Sequence, residues 1–170
     1  MATDVTIERP GSRMLGLPHG TLALAGLAMT AGVIHLVATV EHVTVDLELG
    51  LFFALVGAAQ IAAGYRIHRK GADSRLLKLV ALGSVALAVL WIFSRTTGIP
   101  VGPDAGQISK VGVGDAIATI LELAFAALAG VILVRGEDGV AWLSGAIALR
   151  LTCALLSLSL MLAALGGHEH

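Results

Sequence analysis

A bundle of five membrane-spanning helices is the fold the sequence predicts, and three observations predict it. Of 170 residues, 56% are hydrophobic and only 14% charged, and the mean hydropathy is +0.89. The apolar residues also gather into runs that match the bilayer. A soluble domain carries roughly 25% charged residues, so the missing charge calls for a solvent other than water. A spanning helix needs about 20 mainly apolar residues, because the hydrocarbon core is about 30 Å thick and each residue rises about 1.5 Å. The runs 21–40, 47–65, 76–94, 115–134 and 141–165 each qualify.

The formal net charge of −1 excludes a nucleic-acid binder, which needs clustered Lys and Arg in excess to neutralise phosphates. Cys153, the one cysteine, excludes an intrachain disulfide framework and a cysteine-rich metal cluster.

Taken in order, residues 1–20 carry Pro10, Gly11 and mixed charges within the first 13 positions, a composition expected of a cytoplasmic tail. Arg9 and Arg13 ahead of an apolar run also resemble the start of a secretory signal, which would make the first span a removed peptide. On the first span His35, Thr39, His42 and Asp46 share one face if the helix continues past Val40. The second carries Gln60, flanked on its face by Gly57 and Gly64. The third ends at Ser94, and the loop 95–114 is dense in Gly and Pro, which fix turns; it is expected to cap the bundle mouth. On the fourth span Asp115, Thr119 and Glu122 line up, although Asp115 after Gly114 also suits a helix N-cap. Arg150, Ala154, Ser157 and Met161 form a weaker stripe on the fifth. The tail 166–170 ends His168-Glu169-His170.

Short loops rich in Lys and Arg stay in the cytoplasm. Arg9, Arg13, Arg66, Arg69, Lys70, Arg75, Lys78 and Arg135 fall on one side, against Arg95 and Lys110 on the other. The N-terminus is therefore expected inside and the C-terminus outside, in a multi-pass protein of a bacterial plasma membrane. Tyr65 and Trp142 then fall at the inner interface and Trp91 near the outer one.

Polar stripes within spans must face protein or a wet cavity. An ionised group at the bilayer centre costs roughly 2.5 to 3.5 kcal/mol on insertion scales, so Glu122 and Arg150 are expected to be partnered. Glu122 lies about 10 Å below the outer surface and Arg150 about 14 Å above the inner one, which leaves a gap an arginine spans. That pair would fix helix register or serve proton or ion movement.

His35 and His42 cannot share one metal, since seven helical residues rise about 10.5 Å and ligand bonds are about 2.0 to 2.2 Å. A metal at His35 would need Glu122 or Asp115. One at His42 would need Glu41, Asp46 or the tail with His168 and His170. Imidazole with carboxylate suits zinc, manganese, iron or copper(II). A neutral histidine hydrogen-bonded within the bundle, or one that handles protons, are the other readings of His35. No haem is expected, because no second histidine falls in another span. Arg95 either anchors the third helix or holds an anionic group at the mouth.

The residues His35, Glu41-His42, Gly50-Leu51-Phe52-Phe53, Gln60, Trp91, Ser94-Arg95-Thr96-Thr97-Gly98, Pro100, Gly102-Pro103, Asp115 and Glu122 form a pattern. It resembles that of small multi-span membrane proteins of high-GC bacteria. The group has no assigned activity, so the resemblance implies no mechanism; it marks the outer-facing residues as one constellation.

The sequence thus points to an outward polar pocket of His35, His42, Asp115 and Glu122 beneath the Arg95 loop, with a divalent metal ion as its expected ligand. Gln60 and Arg150 are further binding candidates. An accessory subunit of a larger membrane complex, or a small ion- or proton-coupled transporter working as a homo-oligomer, are the rival classes. No catalytic triad context, phosphate loop or helical zinc motif is present to support an enzyme.

Overall fold

The computed structural model describes residues 19–100, 105–140, 142 and 143, and nine positions between 147 and 161, all nine helical. The described chain forms four long helices: α1 His19–His42, α2 Leu47–Lys70, α3 Ser74–Thr96 and α4 Val113–Arg135. A 3₁₀ turn over Glu137–Val140 follows them. All four are long and apolar enough to cross a membrane. The fifth expected span lies largely outside the described residues, as do the N-terminal tail up to residue 18 and the tail with His168 and His170.

Each boundary has a local cause. Past His42 the chain turns over residues 43–45, and the Asp46 carboxylate accepts from Leu49 N–H at 3.0 Å to open α2. The expected α1 stripe therefore stops at His42; Asp46 belongs to the next helix as its N-cap. Gly71, at φ 80°, ends α2. Two residues on, Asp73 caps α3 by accepting from Arg75 N–H at 3.1 Å and Leu76 N–H at 2.9 Å. Gly136, at φ 68°, closes α4 with its N–H on Ile132 O at 2.9 Å. Asp115 is not a cap: α4 starts two residues earlier, with Gly112 at the N-cap.

The helices pack in the order α2, α1, α4, α3, with α1 and α4 in the middle. The α1–α2 contact is a glycine seam. A Cβ on Gly32 would lie 2.8 Å from Gly57 O, one on Gly57 would lie 2.8 Å from Gly32 O, and one on Gly64 would lie 2.9 Å from Ala25 O. Only hydrogen at these positions lets the two backbones approach this closely. By contrast α2 and α3, joined by the turn 71–73, make few contacts.

Leu24, Ala25 and Ala28 of α1, Ile67 of α2, Leu77 of α3, and Phe125 and Ala129 of α4 form one buried cluster. It joins all four helices toward the end that carries Arg66, Arg69, Lys70, Arg75, Lys78 and Arg135, the basic end. A second cluster, Ala31, Ile34, Ala118 and Leu121, lies between α1 and α4, with Leu155 packed on it. On α3, Leu79, Leu82, Val85, Val89, Ile92 and Phe93 are all exposed. An apolar row of this extent is untenable in water and is what a lipid-facing helix presents. The protein is an all-helical membrane protein.

Candidate functional site

At the end opposite the basic residues, the four helices spread around a cavity of about 700 Å³. α1 brings His35, Glu41 and His42; α2 brings Phe52 and Phe53; α3 brings Trp91, Ser94 and Arg95; α4 brings Asp115, Thr119 and Glu122. Most of the site residues expected from the sequence therefore meet in one space.

Its wall is held by a hydrogen-bond chain across three helices. The buried His35 Nδ1 lies 2.9 Å from Ala31 O and 2.9 Å from Gln60 Oε1. Both are carbonyl oxygens in the network as assigned, so Nδ1 carries the proton and donates to each. Gln60 Nε2 in turn donates to Glu122 Oε1. His35 and Gln60 are each 7% exposed and Glu122 2%, so the chain is inside the protein where an unpaired polar group is costly. Nε2 of His35 and Oε2 of Glu122 are the polar atoms of the chain that meet no partner among the described residues.

The partner of Glu122 is thus Gln60 and not Arg150, which is exposed; no ion pair joins Arg150 to Glu122. The cause is the glycine seam. Gly57 and Gly64, on either side of Gln60, draw α2 against α1, and the short amide reaches both neighbours.

Nearer the mouth, the Arg95 guanidinium bonds Asp115 Oδ2 and Ser94 Oγ. It also sits over the Trp91 ring, 5.1 Å from its centroid, a cation–π distance. Trp91 accordingly lines the cavity and is not simply a member of an aromatic belt in lipid. Two buried donors here, Trp91 Nε1 and Arg95 Nε, have no acceptor among the described residues. His35 and His42 flank the Phe53 ring at centroid distances of 5.8 Å and 5.1 Å, while His42 Nδ1 bonds Ala38 O at 2.8 Å. Glu41 is exposed at the rim.

The described part of the connection between α3 and α4 folds back over the mouth. Ser109 N–H donates to Ser94 O at 3.1 Å and Gly106 N–H to Ile99 O at 2.8 Å. Gly98, at φ 76°, sits where a Cβ would be 2.6 Å from Gly106 C, so only glycine fits that crossing. Ile99, Ser109 and Lys110 then line the cavity.

Among the described residues no three His, Cys, Asp or Glu side chains come together as a metal-ligand group. The physical reason is the amide in the middle: Gln60, not an ion, joins His35 to Glu122, and Asp115 is taken by Arg95. Phe52, Phe53 and Ser94 belong to the sequence pattern but carry no signal of binding by themselves, because apolar and small hydroxyl residues in a membrane helix are indistinguishable from packing residues. No protein-family model, curated protein or solved structure matches the chain.

Proposed function

We propose that this chain is a multi-pass protein of the bacterial plasma membrane that binds a small organic molecule in the cavity at its pocket end. The observation that carries the reading is the buried chain His35–Gln60–Glu122, which commits three helices to holding one imidazole and one carboxylate at a cavity wall. Mixed donors and acceptors on an aromatic lining are what a small-molecule site needs. The charge asymmetry between the two ends supports an outward-facing pocket. With no three-ligand group among the described residues, a single divalent metal ion fits this wall less well than an organic ligand does.

The test is the co-purified content of the full-length protein in mild detergent, wild type beside Glu122→Gln and His35→Ala. An organic compound near one per chain is expected in the wild type and should fall about tenfold in either variant, the equivalent of about 1.4 kcal/mol of affinity. Near-stoichiometric zinc, copper, iron or manganese that vanishes with His35→Ala would instead establish a metal centre. Equal organic content in all three proteins would remove the pocket from any binding role.

A further inference from the structure

The polar cavity does not end among polar residues. It shares Phe52, Leu87 and Leu90 with a second cavity of about 680 Å³ that runs down between α2 and α3. That groove is apolar: Ala59 and Ala63 on one wall face Leu79 and Gly83 on the other, and α2 and α3 make few contacts along it. From Leu90 to Leu79 it extends about 16 Å along α3. Gly83 is open there, since a Cβ built on it meets nothing within 4 Å.

Resting on the pocket reading above, we infer that the ligand is a membrane-dissolved amphiphile of the prenylquinone class, its ring in the polar cavity and its tail in the α2–α3 groove. The route selects a neutral head, because a charged one entering between α2 and α3 would have to shed its water against an almost wholly apolar wall. A flat ring suits the lining of Phe53 and Trp91. The Arg95 guanidinium, with hydrogens beyond those bonded to Asp115 and Ser94, offers a donor to a ring oxygen at one edge, and Glu122 and His35 offer acceptors to a hydroxyl at the other. The gap between α2 and α3 supplies the tail with a lateral way in from the bilayer, so the head need never cross water.

The test uses the full chain carrying Trp142→Phe, in nanodiscs, so that Trp91 is the remaining tryptophan. Decylubiquinone and its tail-less ring, 2,3-dimethoxy-5-methyl-1,4-benzoquinone, are titrated against its fluorescence. The tailed probe should quench saturably at about a tenth or less of the concentration the bare ring needs. Gly83→Phe should erase that advantage while leaving the bare ring's midpoint within about twofold; partition of the tail into lipid is common to both proteins and cancels. Ala59→Leu fills the groove from its other wall and should act in the same direction. An advantage that survives both variants, or equal midpoints for both probes in the wild type, overturns the groove as a tail site while leaving the pocket reading standing. Absence of saturable quenching by either probe, or displacement of a co-purified ligand by monoolein but not by the quinone, overturns the assigned head class. The pocket reading would still stand or fall on co-purification with Glu122→Gln.

Discussion

Two helix pairs in this bundle have the same connectivity and opposite outcomes. α1 with α2, and α2 with α3, are antiparallel neighbours joined by short turns, yet the first pair is closed along a glycine seam and the second is open enough to hold a groove. Small residues alone do not explain the difference, because Ala59, Ala63 and Gly83 line the open side as well. In lipid there is no hydrophobic force to press helices together, so close packing and polar links decide. Gln60 supplies the link: its amide bonds His35 and Glu122, on α1 and α4, and among the described residues no hydrogen bond ties it to α3. The seam is where a polar anchor and backbone contact coincide; the groove has small residues without an anchor.

The sharpest way to break that contrast is Gly57→Leu. A Cβ there already stands 2.8 Å from a backbone oxygen and 2.9 Å from Leu36 Cγ, so the added side chain has to part α1 from α2. Overpacking costs about 1–3 kcal/mol when side chains yield and more when backbone must. The expected outcome is loss of a monodisperse, cooperatively unfolding protein in detergent, read by size exclusion and thermal melts.

Gln60→Leu comes next. It takes the donor from the buried Glu122 carboxyl and leaves the His35 N–H with Ala31 O alone, a loss of about 1–3 kcal/mol. A double-mutant cycle tests whether the amide acts as the link. Gln60→Leu combined with Glu122→Leu should cost clearly less than the sum of the two single changes, whereas additive costs would mean the hydrogen bond does not hold the helices.

How far these features could be read without coordinates follows from the same physics. Four helical runs, the position of Gln60 between two glycines and the meeting of His35, Asp115 and Glu122 were legible, because lipid forbids unpaired polar groups and periodicity places them on faces. Partner identity was not. Arg150 is a charge at a plausible depth for Glu122, but depth says nothing about azimuth, and the azimuth was set by Gly32, Gly57 and Gly64 through close backbone approach. Asp115 sits after a glycine as a cap residue would, and only the register of α4, starting at Val113, puts it opposite Arg95. The gap between α2 and α3 left no mark, since apart from Gln60, Arg66 and Ser84 its residues are apolar and read alike in either arrangement.

At the pocket mouth, Asp115→Asn should cost about 1 kcal/mol or less, because the carboxylate side chain is 36% exposed and water screens the pair with Arg95. The same change should also alter the Trp91 emission, since the guanidinium over its ring loses its counter-charge. Gly83→Ala probes the open side directly. With nothing within 4 Å of the new Cβ, it should be neutral or raise stability by up to about 1 kcal/mol through helix propensity. Destabilisation would mean that α2 and α3 close on each other at this point.

The smallest effect concerns what does tie α2 to α3. Arg66 on α2 reaches Asp73, the N-cap of α3, at 2.9 Å across the turn, with both side chains about half exposed. Asp73 is held below the usual carboxylate range, first by the Leu76 N–H it accepts and then by Arg66. A carboxylate with a depressed folded-state value contributes stability that is present above its unfolded value, about 3.9, and is lost as pH falls through the folded one. The wild type should therefore show a shallow acid limb in unfolding temperature below about pH 4. Asp73→Asn keeps an acceptor for the cap but has no charge to titrate, so the difference between wild type and variant should shrink as pH falls through that window. High salt should weaken the Arg66 part of the effect and leave the cap, which is a local hydrogen bond, largely in place. A difference that is independent of pH would show that neither the cap nor the ion pair draws on the carboxylate's charge, and one that varies with pH but not with salt would show that the cap, and not the ion pair, holds this corner of the groove.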